Sequence, residues 1–388
     1  MYMNNFILSI IMPTKNRQKY CISSLEQITR VIDNSSLNIE VLIKDNSDTN
    51  ILEDEINNLK KTYISYYYES GIVSFVDNFD DAVKKSKGKY LLIIGDDDGV
   101  LPYLIDVILL MEKNNIDAII PDLGAVYFWP SSKDIVKNSR NGLLVLSKKP
   151  VKCKIVDTNK GLKNLINKAG QDYQNLNLAR IYHGIVKKDI LVLNKDFKYF
   201  GGLTPDIYSS VILSINSRKT VRISLPITIS GICEKSGSSD SATGKHTGNL
   251  KDAPHFRGHS NYVWYKEIPA IYTVETIWAE TVIKALIDSS AYELLNNFNF
   301  NKLNEILLKK YPLLMGKNHL LKKDENNFYI FIKKCFNFIN KVMIRIKRRN
   351  LVYKYYNIVD IQTAEYIINT KVNNKVIKKL LKRMENLK

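Results

Sequence analysis

Three adjacent aspartates, Asp96, Asp97 and Asp98, are the clearest candidates for residues that do chemistry. They directly follow residues 90–94, an apolar run that predicts a strand buried on both faces. Neighbouring carboxylates repel one another unless a positive charge lies among them. A divalent cation, Mn²⁺ or Mg²⁺, would supply that charge, because such ions take carboxylate and phosphate oxygens as ligands. An acidic surface turn is the alternative, but the buried strand before the aspartates favours a metal site.

A sheet is needed to position these aspartates, and the first half of the chain has the pattern of one. Short apolar or β-branched runs alternate there with segments in which apolar residues recur at helical spacing. This alternation predicts an α/β fold with βαβ units and a mostly parallel sheet flanked by helices. The predicted strands are residues 6–12, 40–44, 63–68, 90–94 and 118–121, and the predicted helices are residues 20–32, 51–60 and 75–85. In the second half, residues 185–193 are expected to contain a helix and residues 262–289 to be helical.

Polar loops follow three of the predicted strands. A basic loop at residues 13–17 follows the first strand, a polar loop at residues 45–47 follows the second, and the aspartates follow the fourth. The carboxyl ends of parallel strands meet at one edge of a sheet, where α/β proteins bind ligands. Together the three loops suit a nucleotide diphosphate and its cation, with Asp45 able to accept a hydrogen bond from a base N–H.

The order and spacing of four segments resemble those of the family 2 glycosyltransferases of the GT-A fold. The segments are residues 9–17, 39–47, 78–88 and 89–102. The resemblance implies a Rossmann-like GT-A domain that binds a nucleotide-sugar donor, expected to be UDP-linked. It also implies a nucleotide-sugar site formed by Pro13, Thr14, Asn16, Arg17, Asp45, Ser47, Asn78, Asp96 and Asp97.

The same resemblance implies that the aspartates are the metal-binding Asp-x-Asp element of the family. Gly95 occupies the position where the first aspartate of that element often stands, which leaves open which two aspartates hold the metal. We expect Asp97 and Asp98 to bind the Mn²⁺ or Mg²⁺ ion, with Asp96 nearer the ribose.

Asp206 is the predicted catalytic base. The family inverts the anomeric centre, which requires a base that deprotonates the acceptor hydroxyl. In relatives this base is a carboxylate at the start of a helix, and Thr204–Pro205–Asp206 resembles the Pro-Asp of a bacterial subgroup. Pro205 suits the first helical position and Thr204 could cap the helix. The alternative role of Asp206 is stabilisation of the helix dipole.

Two other residue types carry weaker signals. His255 and His259, with His246, could suggest a metal site, but solvated side chains are the simpler interpretation. We expect His183 to pack near the sheet. Trp129 could stack on a sugar, although a single tryptophan is more often part of a core.

The net charge of +18 is concentrated near the C-terminus, where residues 317–388 contain 18 Lys or Arg and 5 Asp or Glu. An apolar stripe between residues 328 and 346 predicts an amphipathic helix. Three interpretations remain open: packing on the enzyme, binding to an anionic membrane surface, and, least favoured, binding to nucleic acid.

The remaining features predict a cytoplasmic protein that could bind the inner face of the cytoplasmic membrane. The four cysteines are far apart, as expected for reduced thiols. No segment has the pattern of a signal peptide or a membrane span. We expect a GT-A domain at residues 1–260, with a nucleotide-sugar half at about 1–122 and an acceptor half at about 123–260. A helical segment (261–327) and a basic amphipathic helical extension (328–388) would follow.

The sequence therefore predicts a metal-dependent inverting glycosyltransferase. The expected acceptor is a glycan, free or lipid-linked, of a bacterial surface polysaccharide such as capsule, O-antigen or lipopolysaccharide core. A sugar nucleotidyltransferase is one alternative, although its glycine-rich first loop is absent. The other is a non-catalytic basic protein that binds membrane or nucleic acid through a degenerate transferase domain.

Overall fold

An eight-stranded sheet forms the centre of the molecule. The computed structural model describes residues 6–130, 141–234, 247–250, 253–258, 262–316 and 351–387. The strands of this sheet are β1 (Leu8–Thr14), β2 (Ile39–Asp45), β3 (Ile64–Tyr68), β4 (Tyr90–Ile93), β6 (Ala118–Ile120), β9 (Cys153–Val156), β10 (Ile185–Lys187) and β11 (Thr220–Ile223). Their order is β3-β2-β1-β4-β10-β6-β11-β9. The first four strands are parallel, and β10 runs antiparallel to both of its neighbours.

Helices cover both faces of this sheet. They are α1 (Gln18–Asp33), α2 (Leu52–Asn58), α3 (Phe75–Lys85), α4 (Leu104–Lys113), α5 (Thr158–Asn167), α6 (Pro205–Asn216), α7 (Val274–Asp288), α8 (Tyr292–Asn296), α9 (Phe300–Lys310), α10 (Ile361–Lys371) and α11 (Asn374–Glu385). Ile10 and Met12 of β1 join one core with α1 and α4, whereas Ile11 joins a second core with α3 and α6. The three successive residues 10–12 are all apolar because their side chains enter opposite cores in turn.

A second sheet brings a glycine-containing strand over the aspartates. It comprises β5 (Gly99–Val100), β7 (Ala125–Phe128), β8 (Leu143–Ser147), β12 (Thr228–Ile232) and β15 (Val352–Tyr355), in the order β15-β8-β7-β12-β5. A separate antiparallel pair joins β13 (Thr247–Asn249) to β14 (Ile271–Thr273). Because β5 directly follows the aspartates and pairs with β12, the two segments are held against each other.

Strands and helices of the first half agree with the sequence prediction to within a few residues. The predictions for two later helices were wrong in type or in extent. Residues 185–193, expected to contain a helix, form β10 and a single 3₁₀ turn, because β10 is paired on both sides. Residues 262–289 are helical only from Val274, where Thr273 and Thr276 form a capping box. Pro205 occupies the first turn of α6 as predicted, but Thr204 does not cap it.

The C-terminal residues that the structure describes pack on the rest of the protein. Strand β15 pairs antiparallel with β8, so residues 351–387 contain a strand as well as helices, which corrects the prediction of a wholly helical extension. Glu365 of α10 accepts a hydrogen bond from Gln27 Nε2 at 2.8 Å and pairs with Arg30 Nη2 at 2.5 Å, both on α1. The predicted apolar stripe at residues 328–346 lies outside the described residues. The proposed domain boundaries stay a prediction.

Candidate active site

A cavity of about 370 Å³ lies at the carboxyl ends of β1 and β4. One wall contains polar residues from the first half of the chain, and another contains the start of α6. Besides Pro13, the residues that line it include Arg17, Asp97, Asp98, Tyr173, Arg180, Tyr182, His183 and Asp206. The cavity is therefore the place where the predicted metal ligands and the predicted base meet.

Asp96 is neutralised from within the protein and does not line the cavity. Its carboxylate is fully buried, accepts a hydrogen bond from Thr14 Oγ1 at 2.5 Å and lies 2.6 Å from Arg17 Nη2. Burial raises the pKa of Asp96, whereas the Arg17 guanidinium acts to lower it. Burial lowers the pKa of Arg17, but Asp96 and Asp97 outweigh it and raise that pKa overall, so the guanidinium stays charged.

Asp98 is held by backbone donors on both oxygens. Oδ2 accepts from Gly95 N at 2.6 Å, and Oδ1 accepts from Gly231 N at 2.7 Å. Burial and the neighbouring Asp97 raise the pKa of Asp98, and the two N–H groups oppose that rise. Each carboxylate oxygen has two lone pairs, so Oδ1 keeps acceptor capacity for a further ligand, whereas Oδ2 also lies 3.3 Å from His183 Nε2.

The cavity side chains suit a cation whose remaining coordination positions are filled by oxygens of a bound ligand. Asp97 and Asp98 line the cavity and Asp96 does not. No group of three His, Cys, Asp or Glu able to hold a metal occurs among the described residues. Magnesium-type ions in nucleotide sites use one or two carboxylates plus phosphate and water oxygens. The predicted pair, Asp97 and Asp98, matches that donor set better than any pair that includes Asp96.

His183 and Tyr182 line the cavity beside Asp98, although neither was predicted as a site residue. His183 is buried, as predicted, with left-handed φ of 57°; its Nδ1 lies 2.8 Å from Thr228 Oγ1 and its Nε2 lies 3.3 Å from Asp98 Oδ2. Burial and Arg180 lower the pKa of His183 to about 3, so the ring is neutral. A neutral ring with one N–H can donate to Asp98 and hold it in place.

Asp206 lies at the start of α6 on the cavity wall and is half-buried. It accepts a hydrogen bond from the Tyr173 hydroxyl. Burial raises the pKa of Asp206, and the Tyr173 hydrogen bond opposes that rise. Tyr173 comes from a 3₁₀ turn at Tyr173–Asn175, 33 residues before Asp206, so no local pattern could have paired the two.

Other predicted nucleotide-site residues form a neighbouring polar cluster that does not line the cavity. Asp45 is fully buried and accepts hydrogen bonds from Ser47 N at 2.8 Å and Tyr66 Oη at 2.9 Å. Asn16 N donates to Ser47 Oγ at 2.8 Å. Asn78 is a buried residue of α3 whose Oδ1 has no hydrogen-bond partner within the described part of the chain. Their roles in donor binding stay predictions.

The family comparison agrees with this geometry. Residues 9–141 match the model described as "Glycosyl transferase family 2". This part of the chain is a family 2 glycosyltransferase domain. The match contains the aspartates and nearly all of the four parallel strands β1 to β4, and with the observed sheet it confirms the predicted α/β GT-A fold.

Comparison with solved structures finds distant likenesses. The crystal structure of S. aureus TarS 1-349 is 16% identical with a TM-score of 0.40, and the alignment covers 58% of this chain and 60% of that one. The same protein in complex with UDP-GlcNAc is 14% identical with a TM-score of 0.43, covering 75% and 71%. The chain thus spans about three fifths of the first of these structures. These scores are too low to support an inference about ligands. No curated protein sequence matches the chain.

Trp129 has a structural role in the glycosyltransferase domain, as the more conservative prediction held. Its ring is buried, and Nε1 donates to the backbone oxygen of Asp97 at 2.8 Å. The ring packs edge-on against Tyr20 with centroids 5.2 Å apart.

His255 lies in a 3₁₀ turn away from the cavity lining, and the other two histidines of the suggested metal site lie outside the described residues.

Gly231→Ala is expected to disrupt the candidate active site. A Cβ at this position would lie 1.8 Å from the backbone oxygen of Asp97, so either β12 or the aspartate loop must move. We expect a loss of about 1–3 kcal/mol in the free energy of unfolding. Because displacement by 1 Å can cost about 10²-fold in rate, we expect a comparable loss of transfer. Urea denaturation and an activity assay measure the two effects; wild-type values in both would contradict this placement of β12.

Proposed function

We propose that the protein is a metal-dependent inverting glycosyltransferase that moves a sugar from a UDP-sugar to a glycan acceptor. One observation carries the proposal: Arg17, Asp97 and Asp98 line the same cavity as the half-buried carboxylate of Asp206. Inverting transfer needs a charged group at the leaving diphosphate and a base at the acceptor hydroxyl. The cavity offers both.

At the donor end, Asp97 and Asp98 would hold Mn²⁺ or Mg²⁺ and Arg17 would contact the diphosphate. When bound, the cation would stabilise the negative charge that develops on the leaving diphosphate. Arg17 is suited to this position because its charge is kept by Asp96 beneath it. The adjoining cluster of Asn16, Asp45 and Ser47 would orient the nucleoside, with Asn16 and Ser47 already joined by a hydrogen bond.

At the acceptor end, Asp206 would take the proton of the attacking hydroxyl as the new glycosidic bond forms. A carboxylate is a stronger base when its pKa is raised toward the working pH, and burial raises the pKa of Asp206. The Tyr173 hydroxyl holds the carboxylate by a hydrogen bond, which restricts its rotation. Tyr173 is therefore a positioning residue for the proposed base.

The acceptor that we propose is a growing bacterial surface glycan, reached at the inner face of the membrane. Among the described residues, no helix has the length and apolar character needed to cross a bilayer. Helix α11 presents four exposed lysines, at positions 375, 378, 379 and 382. Basic residues clustered on an amphipathic helix attract anionic lipid surfaces, so peripheral attachment fits this composition.

A donor screen tests the proposed function. Purified protein is mixed with UDP-sugars and other nucleotide sugars, with Mn²⁺, Mg²⁺ or a chelator, and nucleotide release and donor binding are measured. We expect binding and slow release with at least one nucleotide sugar, and we expect the chelator to abolish release. Absence of metal-dependent binding or turnover with every donor would contradict the proposal. Release of pyrophosphate in place of a nucleoside diphosphate would favour the nucleotidyltransferase alternative.

A further inference from the structure

A second cavity, here called the basic groove, adjoins the active site. It has a volume of about 670 Å³ and lies between β9, β11 and the C-terminal helix α11. Five basic residues and one acidic residue line it: Lys149, Lys152, Lys154, Arg222, Arg383 and Asp122.

The groove has an excess of positive charge that the described protein does not compensate. Its acid, Asp122, is already paired with Lys149 at 2.8 Å. Within the described ranges, no carboxylate forms an ion pair with Lys152, Lys154 or Arg222. Arg383 donates a hydrogen bond to the backbone oxygen of Val151, which carries no formal charge. The groove therefore presents cations with free capacity to bind an anion.

The positions of these cations are unfavourable for the sheet itself. Lys154 of β9 lies directly opposite Arg222 of β11 in their antiparallel register, so both side chains are on one face. Like charges in such cross-strand pairs destabilise the sheet. An anion between Lys154 and Arg222 would remove the repulsion between them.

A single turn of the chain separates the basic groove from the active-site cavity. Tyr173 and Gln174 line the cavity, whereas Asn175 and Asn177 line the groove. Guanidinium groups hold this segment from both sides: Arg180 Nη1 donates to Gln174 O at 3.2 Å, and Arg222 Nη1 donates to Leu176 O at 3.2 Å. A ligand that crosses the turn would reach from the groove to the vicinity of Asp206.

We propose that the basic groove binds a phosphate group carried by the acceptor. The inference rests on the proposed function, since it assigns the acceptor end of the same site. Guanidinium groups bind phosphate oxygens through paired N–H donors, and lysines add compact positive charge. The acceptor would thus be a phosphate-bearing glycan whose phosphate lies in the groove while its hydroxyl lies beside Asp206. Arg383 gives the C-terminal helix a part in acceptor binding.

Calorimetric titration with inorganic tripolyphosphate tests this groove. The full chain is first saturated with UDP and Mg²⁺, which occupies the donor end and reports separately whether the proposed function holds. We compare wild type with Lys152→Ala/Lys154→Ala, whose side chains are exposed. Lys160→Ala/Lys163→Ala on neighbouring α5 removes the same charge outside the groove and is the matched control. Thermal denaturation confirms that both variants are folded.

We expect the groove variant to weaken tripolyphosphate binding at least about tenfold, as the loss of charge-assisted hydrogen bonds predicts, and the control to change it less than about twofold. Equal weakening in both variants would overturn the proposal, because it would indicate a general effect of surface charge. A second titration uses vesicles that contain phosphatidylglycerol. Groove-dependent vesicle binding without tripolyphosphate binding would also overturn it, since the groove would then bind a lipid headgroup. If UDP fails to bind while the groove variant still loses tripolyphosphate, the groove stands and the proposed donor fails.

Discussion

Asp206→Asn is expected to lower the rate of sugar transfer by about 10²- to 10⁴-fold, the usual contribution of a general base. Asparagine keeps the size of the side chain and can still accept the Tyr173 hydrogen bond, but it cannot take the acceptor proton. Donor binding should change little, because Arg17, Asp97 and Asp98 are untouched. Single-turnover kinetics and donor titration separate the two quantities.

The control for this experiment is a carboxylate with a purely structural place at a helix start. Asp157 caps α5 by accepting a hydrogen bond from Lys160 N, so Asp157→Asn tests the helix-dipole effect alone. We expect Asp157→Asn to retain transfer. If Asp206→Asn behaves in the same way, Asp206 is not the base.

The pH profile gives an independent readout of Asp206. A base must be ionised, so transfer should rise with pH through the pKa of Asp206. Tyr173→Phe removes a hydrogen bond that lowers this pKa, and the rising limb should therefore move to higher pH. A general structural defect would lower the rate at every pH without moving the limb.

Asp97→Asn and Asp98→Asn are expected to raise the Mn²⁺ concentration needed for half-maximal activity by more than about tenfold. Loss of even an outer-shell partner of a metal costs about 10–100-fold in affinity, and these two residues are the proposed ligands themselves. Both side chains line the cavity, whereas Asp96 is enclosed by Thr14 and Arg17. Manganese titration of nucleotide release measures the shift.

Asp96→Asn is the matched variant for this series. It removes the partner of Arg17 from a fully buried position, so we expect lower stability and a changed donor affinity. The metal requirement should stay close to that of wild type. A large rise in the metal requirement for Asp96→Asn, with little change for the other two, would show that the cation is held elsewhere in the cluster.

Local sequence was sufficient to predict where the proposed donor-binding residues lie in the sheet. The apolar runs of β1 and β4 place Arg17 and Asp97 at strand ends, and parallel strands bring those ends to one edge. Asp206 could be predicted from the Pro205 helix start that precedes it. Tyr173, His183 and Gly231 could not, because their contacts with Asp206 and Asp98 join residues 33 to 133 positions apart.

The sequence by itself thus determined the α/β fold, the family and the residue types that meet in the active site, because strand period and strand-end loops are local features. Tertiary packing decided the rest. Asp97 and Asp98 line the cavity and Asp96 does not, because Arg17 and Thr14 enclose Asp96. The described part of the basic C-terminal segment packs against the core, because Glu365 and its apolar neighbours are buried against α1. These contacts depend on which residues, far apart in the sequence, shield one another from water. A local sequence pattern does not indicate such pairs.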